Sequence, residues 1–147
     1  MAFRDGECQL SASQAVTTDA VSTNAYDLGA AGIDIGTGEP LVVDVNVEVA
    51  ADHTTGDETY TFELIQSAAV GLGTPDVLDS RTIAAATLVA GYTFQLAVPP
   101  GAVSKRYLGV NYNTGGTTPS ITVSAFVQPR SMAQTKYKAY DDNVNIG

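Results

Sequence analysis

The chain has 147 residues, 44% of them hydrophobic and only 16% charged, with a net charge of −9 and one cysteine. That length is one domain, able to bury about 68–70% of its unfolded surface without help from a metal or disulfide. The acidic balance speaks against direct nucleic-acid binding and against adsorption to anionic membranes, both of which need a basic face, and no apolar run reaches the length of a bilayer-spanning helix.

In chain order, residues 1–20 are polar and rich in small side chains, without helical period, and read as an extended arm with one edge strand over residues 9–15. The opening MAFRDGECQL has no apolar stretch of the signal-peptide kind. With the single Cys8 unable to form an internal disulfide, the expectation is a protein made and assembled in a cytoplasm. Residues 22–28 form a short strand candidate, and residues 29–40 a glycine-rich loop ending at Pro40. Over residues 41–49, Leu41, Val43, Val45, Val47 and Val49 point one way, and Val42, Asp44, Asn46 and Glu48 the other. This is the alternation of a half-buried antiparallel strand.

Residues 52–57 make a turn, and the next strand, residues 58–66, turns Tyr60, Phe62 and Leu64 inward. A loop with two glycines and Pro75 leads to a weaker strand over residues 77–84. Residues 84–90 have room for one helical turn. Two alternating runs follow, with Tyr92, Phe94, Leu96 and Val98 in one, and Leu108, Val110 and Tyr112 in the other. Pro99 and Pro100 stop the first run, because neither donates a ladder hydrogen bond, and Gly101 turns the chain. The connection is too long for a tight hairpin, so the two runs either pair directly or lie in facing sheets. Gly115 and Gly116 turn again before a last strand carrying Ile121, Val123, Ala125 and Val127, which Pro129 ends. Residues 130–147 are a polar tail. About eight short strands and no convincing helix fit an all-β, antiparallel β-sandwich or a jelly roll. The core is expected over residues 21–129, with arms at 1–20 and 130–147.

Residues capable of chemistry are few and scattered. His53 is the only histidine and has no nucleophile signature to serve. Cys8 sits beside Asp5 and Glu7, which disfavour a thiolate, so it reads as a small apolar residue. Asp34, Gly36, Gly38 and Glu39 suggest a calcium loop but miss the twelve-residue ligand spacing. The carboxylate pairs Asp57–Glu58 and Asp141–Asp142 are adjacent, and neighbours on an extended chain point to opposite faces, unlike an acid/base dyad. The expectation is no catalytic residue, no metal and no cofactor: not an enzyme.

Three segments carry a family likeness: SASQAVTTDAVSTNAYDLG at residues 11–29, DIGTGEPLVVDVNV at 34–47, and LVAGYTFQLAVPPGAVSKRYLGVNYNTGGT at 88–117. In these the chain resembles the jelly-roll capsid cement, or head-decoration, proteins of tailed bacteriophages. The resemblance implies a jelly roll, a homotrimer, and a structural virion protein on the capsid exterior. Such a protein binds the major capsid protein where its subunits meet and stabilises the shell. The alternative class is a carbohydrate- or receptor-binding β-sandwich module.

Charge is split along the chain. Residues 1–79 hold fourteen acids and one base, Arg4, whereas residues 80–140 hold no acid and six bases: Arg81, Lys105, Arg106, Arg130, Lys136 and Lys138. The expected partner-contact residues are Arg4, Lys105, Arg106, Arg130, Lys136, Tyr137 and Lys138. The basic segment would meet acid on a neighbouring subunit or on the shell, which chiefly sets orientation and association rate.

Overall fold

The computed structural model describes residues 8–31, 41–99 and 101–129. The strands are β1 (Gln9–Val16), β2 (Ala20–Val21), β3 (Tyr26–Asp27), β4 (Leu41–Val49), β5 (Thr59–Ser67), β6 (Asp76–Ile83), β7 (Thr93–Ala97), β8 (Tyr107–Gly115) and β9 (Ile121–Pro129). A 3-10 turn, Ala85–Thr87, occupies the alanine-rich stretch. Two antiparallel sheets pack face to face as a sandwich. One has the order β1-β9-β4-β7; the other runs β2-β8-β5-β6, with β3 also on β8.

The alternation seen in sequence is what builds the core. Val43, Val45, Val47, Leu96, Val123 and Ala125 from the first sheet are fully buried against Tyr60, Leu64, Leu108 and Val110 from the second. Phe62 stands edge-on to Phe94 at 4.8 Å between centroids and to Tyr112 at 6.0 Å, so one ring ties the two sheets together. Such pairs add about 0.5–1.5 kcal/mol beyond burial. Two buried hydroxyls also meet across the sandwich: Ser11 of β1 and Tyr112 of β8 lie 2.7 Å apart. The two alternating runs around the Pro-Pro-Gly corner do not pair. They are β7 and β8, one in each sheet, so the corner carries the chain across the sandwich.

Four expectations change. The edge strand expected over residues 9–15 forms as β1, but it belongs to the sandwich rather than to an arm, because it pairs with β9. Residues 22–28 do not make one strand. Ser22 breaks it: its N–H bonds to the Val110 carbonyl while its hydroxyl accepts the Val110 N–H and donates to the Asn24 carbonyl, so a side chain replaces the ladder. Val49 does not continue the inward row and is 58% exposed, because a register shift after Val47 turns the end of β4 over. Val42 and Asp44, on the outward row of the same strand, are buried beside Gln128 of β9 rather than solvated.

Two glycines are required by geometry. Gly116 has φ +87°, and a Cβ there would come within 2.3 Å of the Asp57 carbonyl. Gly109 leaves the space on the outer face of β8 that the buried Leu72 fills.

Candidate partner-contact surface

Lys105 and Arg106 stand at the end of the connection from β7 to β8, whose last part is tied to the core. Val103 is buried in the core, and Gln66, itself 4% exposed, accepts the N–H groups of Ser104 (2.8 Å) and Lys105 (3.1 Å) through Oε1. The loop therefore presents both cations from a fixed base. Each meets an acid of the same chain. Lys105 Nζ lies 2.8 Å from Asp76 at the start of β6. Arg106 grips Asp27 of β3 with two parallel bonds, Nε to Oδ1 at 2.7 Å and an Nη to Oδ2 at 2.9 Å, and its guanidinium also lies 5.3 Å from the centre of the Tyr107 ring. The Arg106 fork, with the Gly29 N–H, lowers the Asp27 carboxyl to about 2. The third base, Arg81 on β6, lies over the Phe94 ring at 5.6 Å and donates to the Gln95 carbonyl at 3.4 Å.

The acidic and basic halves of the sequence thus meet inside one chain at these positions. The residues that receive Lys105 and Arg106, Asp76 and Asp27, were not singled out from sequence. Their signal was only membership of the acidic half; the pairing depends on β3 and β6 arriving beside the β7–β8 loop. Arg4, Arg130, Lys136, Tyr137 and Lys138 lie outside the described residues, as do Asp34, Gly36, Gly38, Glu39 and the Asp141–Asp142 pair.

Two other polar regions lie elsewhere on the sandwich, the second at the end of β5 and β8 away from this corner. On the outer face of the second sheet, Glu63 Oε2 accepts from the side-chain amides of Asn111 (2.7 Å) and Asn113 (2.8 Å), and the hydroxyls of Thr61 and Thr82 meet at 2.9 Å. These side chains make a polar patch on that face. At one end of the sandwich the turn before β5 is closed by its own acids. Asp57 accepts the N–H and hydroxyl of Thr117, and Glu58 accepts the N–H groups of Thr55 and Gly56 and the Thr55 hydroxyl. These bonds lower both carboxyl pKa values. A general acid at neutral pH needs the opposite shift, so the adjacent pair serves as turn closure. His53 is exposed in the same turn, with Nδ1 3.3 Å from the Ala51 carbonyl oxygen, and Cys8 packs its sulfur against the edge of the core. Among the described residues no group of three or more His, Cys, Asp or Glu side chains is placed to hold a metal ion.

The family model Bbp16 matches residues 10–127, from β1 into β9. A comparison with curated proteins gives no match. Among solved structures, the crystal structure of PirA aligns over 85% of this chain and 97% of its own, at 11% identity and a TM-score of 0.45.

Proposed function

This chain belongs to the Bbp16 family, and we propose that it is a structural protein of a tailed-phage virion that binds the outside of the capsid and stabilises the shell. The observation that carries this reading is the strand order. With β2 and β3 counted as one interrupted strand, the order β1-β9-β4-β7 facing β2-β8-β5-β6 fits the jelly-roll reading of the sandwich, an architecture used by viral capsid domains and lectins. The segments that resemble cement proteins supply β1 to β3, β4, β7 and β8, strands of both sheets.

The lectin alternative has less support. Phe62, Phe94, Tyr60 and Tyr112 are buried in the core, and the large hydrophobics most exposed among the described residues are valines rather than the aromatic platforms on which sugars stack. In the proposed role the protein is a homotrimer, the partner is the major capsid protein, and the polar patch around Glu63 and the charged corner at Lys105 and Arg106 are the surfaces available for docking. Adding purified protein to bare capsids and imaging them tests the role directly. Ordered density on the capsid exterior and raised resistance of the particle to heat are the expected results. Light scattering of the free protein should give about three times the 15.2 kDa chain mass. Glycan binding with no capsid binding would replace this reading by the alternative.

A further inference from the structure

The two long sides of the sandwich are closed in different ways. On one side the chain covers β1 with its own backbone and polar groups. The Asn24 N–H bonds to the Leu10 carbonyl at 2.9 Å, the Thr23 hydroxyl reaches the same carbonyl at 3.3 Å, and Gln14 Nε2 donates to the Val21 carbonyl at 2.9 Å. On the other side β6 and β7 are, among the described residues, the last strands of their sheets, and two side chains of β6, Asp79 and Arg81, span the gap along them.

The strand alternation shows what those side chains hold. In β7, Tyr92 and Val98 at its two ends bond to β4, so the main-chain groups of Thr93, Gln95 and Ala97 point to the open edge. Counting across the second sheet gives the same result for β6. Arg106 and Val110 bond outward to residues 28 and 22, so the odd-numbered residues of β8 bond to β5 and the even-numbered residues of β5 bond to Asp79 and Arg81. Ser80 therefore points to the open edge. Asp79 reaches both edges at once. Its Oδ2 accepts the Ala97 N–H at 2.9 Å and its Oδ1 accepts the Ser80 N–H at 2.9 Å, while Arg81 takes the Gln95 carbonyl. A carboxylate has two acceptor oxygens, and here each satisfies an edge amide of a different sheet.

We propose that Asp79 is a gate on a strand-accepting edge: by occupying the free amides of β6 and β7 together, with Arg81 on the neighbouring carbonyl, it excludes the strand that β6 would otherwise accept, the β6 of a second copy of this chain. Free edges are templates for strand addition, and charged side chains are a common means of blunting them. The eight-residue β6 is its own complement. A two-fold axis through Ser80 pairs that residue with itself at a hydrogen-bonding position. It also sets positions 79 and 81 opposite each other on one face, so no like charges meet.

The test is Asp79→Ala and Asp79→Asn in the full chain, with amide hydrogen exchange and light scattering over a range of concentrations. In dilute Asp79→Ala, exchange at Ser80 and Ala97 rises about tenfold while core amides such as Val43 keep the parent rate. As concentration rises the mass grows to about twice the parent's, and the Ser80 amide, not Ala97, becomes protected again. Asp79→Asn keeps the side-chain shape but one acceptor oxygen, so one of the two amides stays slow; it carries the exchange test if the alanine variant fails to fold. The proposal is overturned if either folded variant leaves both amides at the parent rate, if Asp79→Ala keeps the parent mass throughout, or if concentration protects Ala97 instead of Ser80.

Discussion

Phe62 stands where both sheets meet, its ring edge-on to Phe94 and Tyr112. Truncation there leaves a cavity that rings from opposite sheets cannot both close. Phe62→Ala is expected to cost about 3–5 kcal/mol, read as a lower denaturant midpoint at unchanged slope. The alternation of β5 in sequence identifies Phe62 as inward-facing but says nothing of its two aromatic neighbours, which come from strands 32 and 50 positions later. Asp27 is a residue whose role the sequence hides altogether. Its carboxyl is lowered from 3.8 to about 2, chiefly by the Arg106 fork. A lowered folded-state value means that the interaction stabilises fully above the unfolded value near 4 and is lost as pH falls through about 2. An NMR titration of the Asp27 carboxyl should therefore show a midpoint near 2 in the parent, moving back toward 3.8 in Arg106→Gln, with other acids unchanged.

At the scale of elements, the strands were legible because side-chain alternation and backbone hydrogen bonding share one period. Leu41–Val49 and Ile121–Pro129 show the pattern plainly, and their ends coincide with glycine, proline or polar turns. The failures share one cause, local replacement of ladder geometry. The Ser22 hydroxyl takes a main-chain role, and the shift after Val47 turns Val49 outward. Neither is visible in a pattern of apolar and polar letters. Turns can be tested by asking which glycine is needed for conformation and which for space. Gly29 has φ +92° with open surroundings, whereas Gly116 has φ +87° and the Asp57 backbone where a Cβ would go. Gly29→Ala bears only the left-handed strain of about 1–2 kcal/mol. Gly116→Ala bears that strain and must also displace the turn, so it should be the more destabilising of the two, measured as the difference in unfolding free energy.

At the scale of the whole molecule, the charge asymmetry is met within the chain at the described positions. Arg106 and Lys105 are engaged by Asp27 and Asp76 of the same chain, in exposed pairs that solvent and salt screen. In the proposed role these bases would still orient the protein on an acidic partner. Neutralising Lys105, Arg106 and Arg130 together is expected to slow decoration of bare capsids at low salt and flatten its salt dependence, with little change at high salt. Equal rates and equal salt dependence in parent and variant would move docking to the polar face around Glu63, Asn111 and Asn113. The sequence by itself determined the all-β class, the inward rows of β4, β5, β8 and β9 and the corner at Pro99, because these follow from local periodicity and backbone chemistry. Only the tertiary structure decided that β7 and β8 belong to different sheets, that β1 is integral to the core, that Lys105 and Arg106 meet Asp76 and Asp27, and that Asp79 spans two strand edges. Each of these joins residues distant in sequence, and their proximity is set by the packing of two sheets, which no local pattern records.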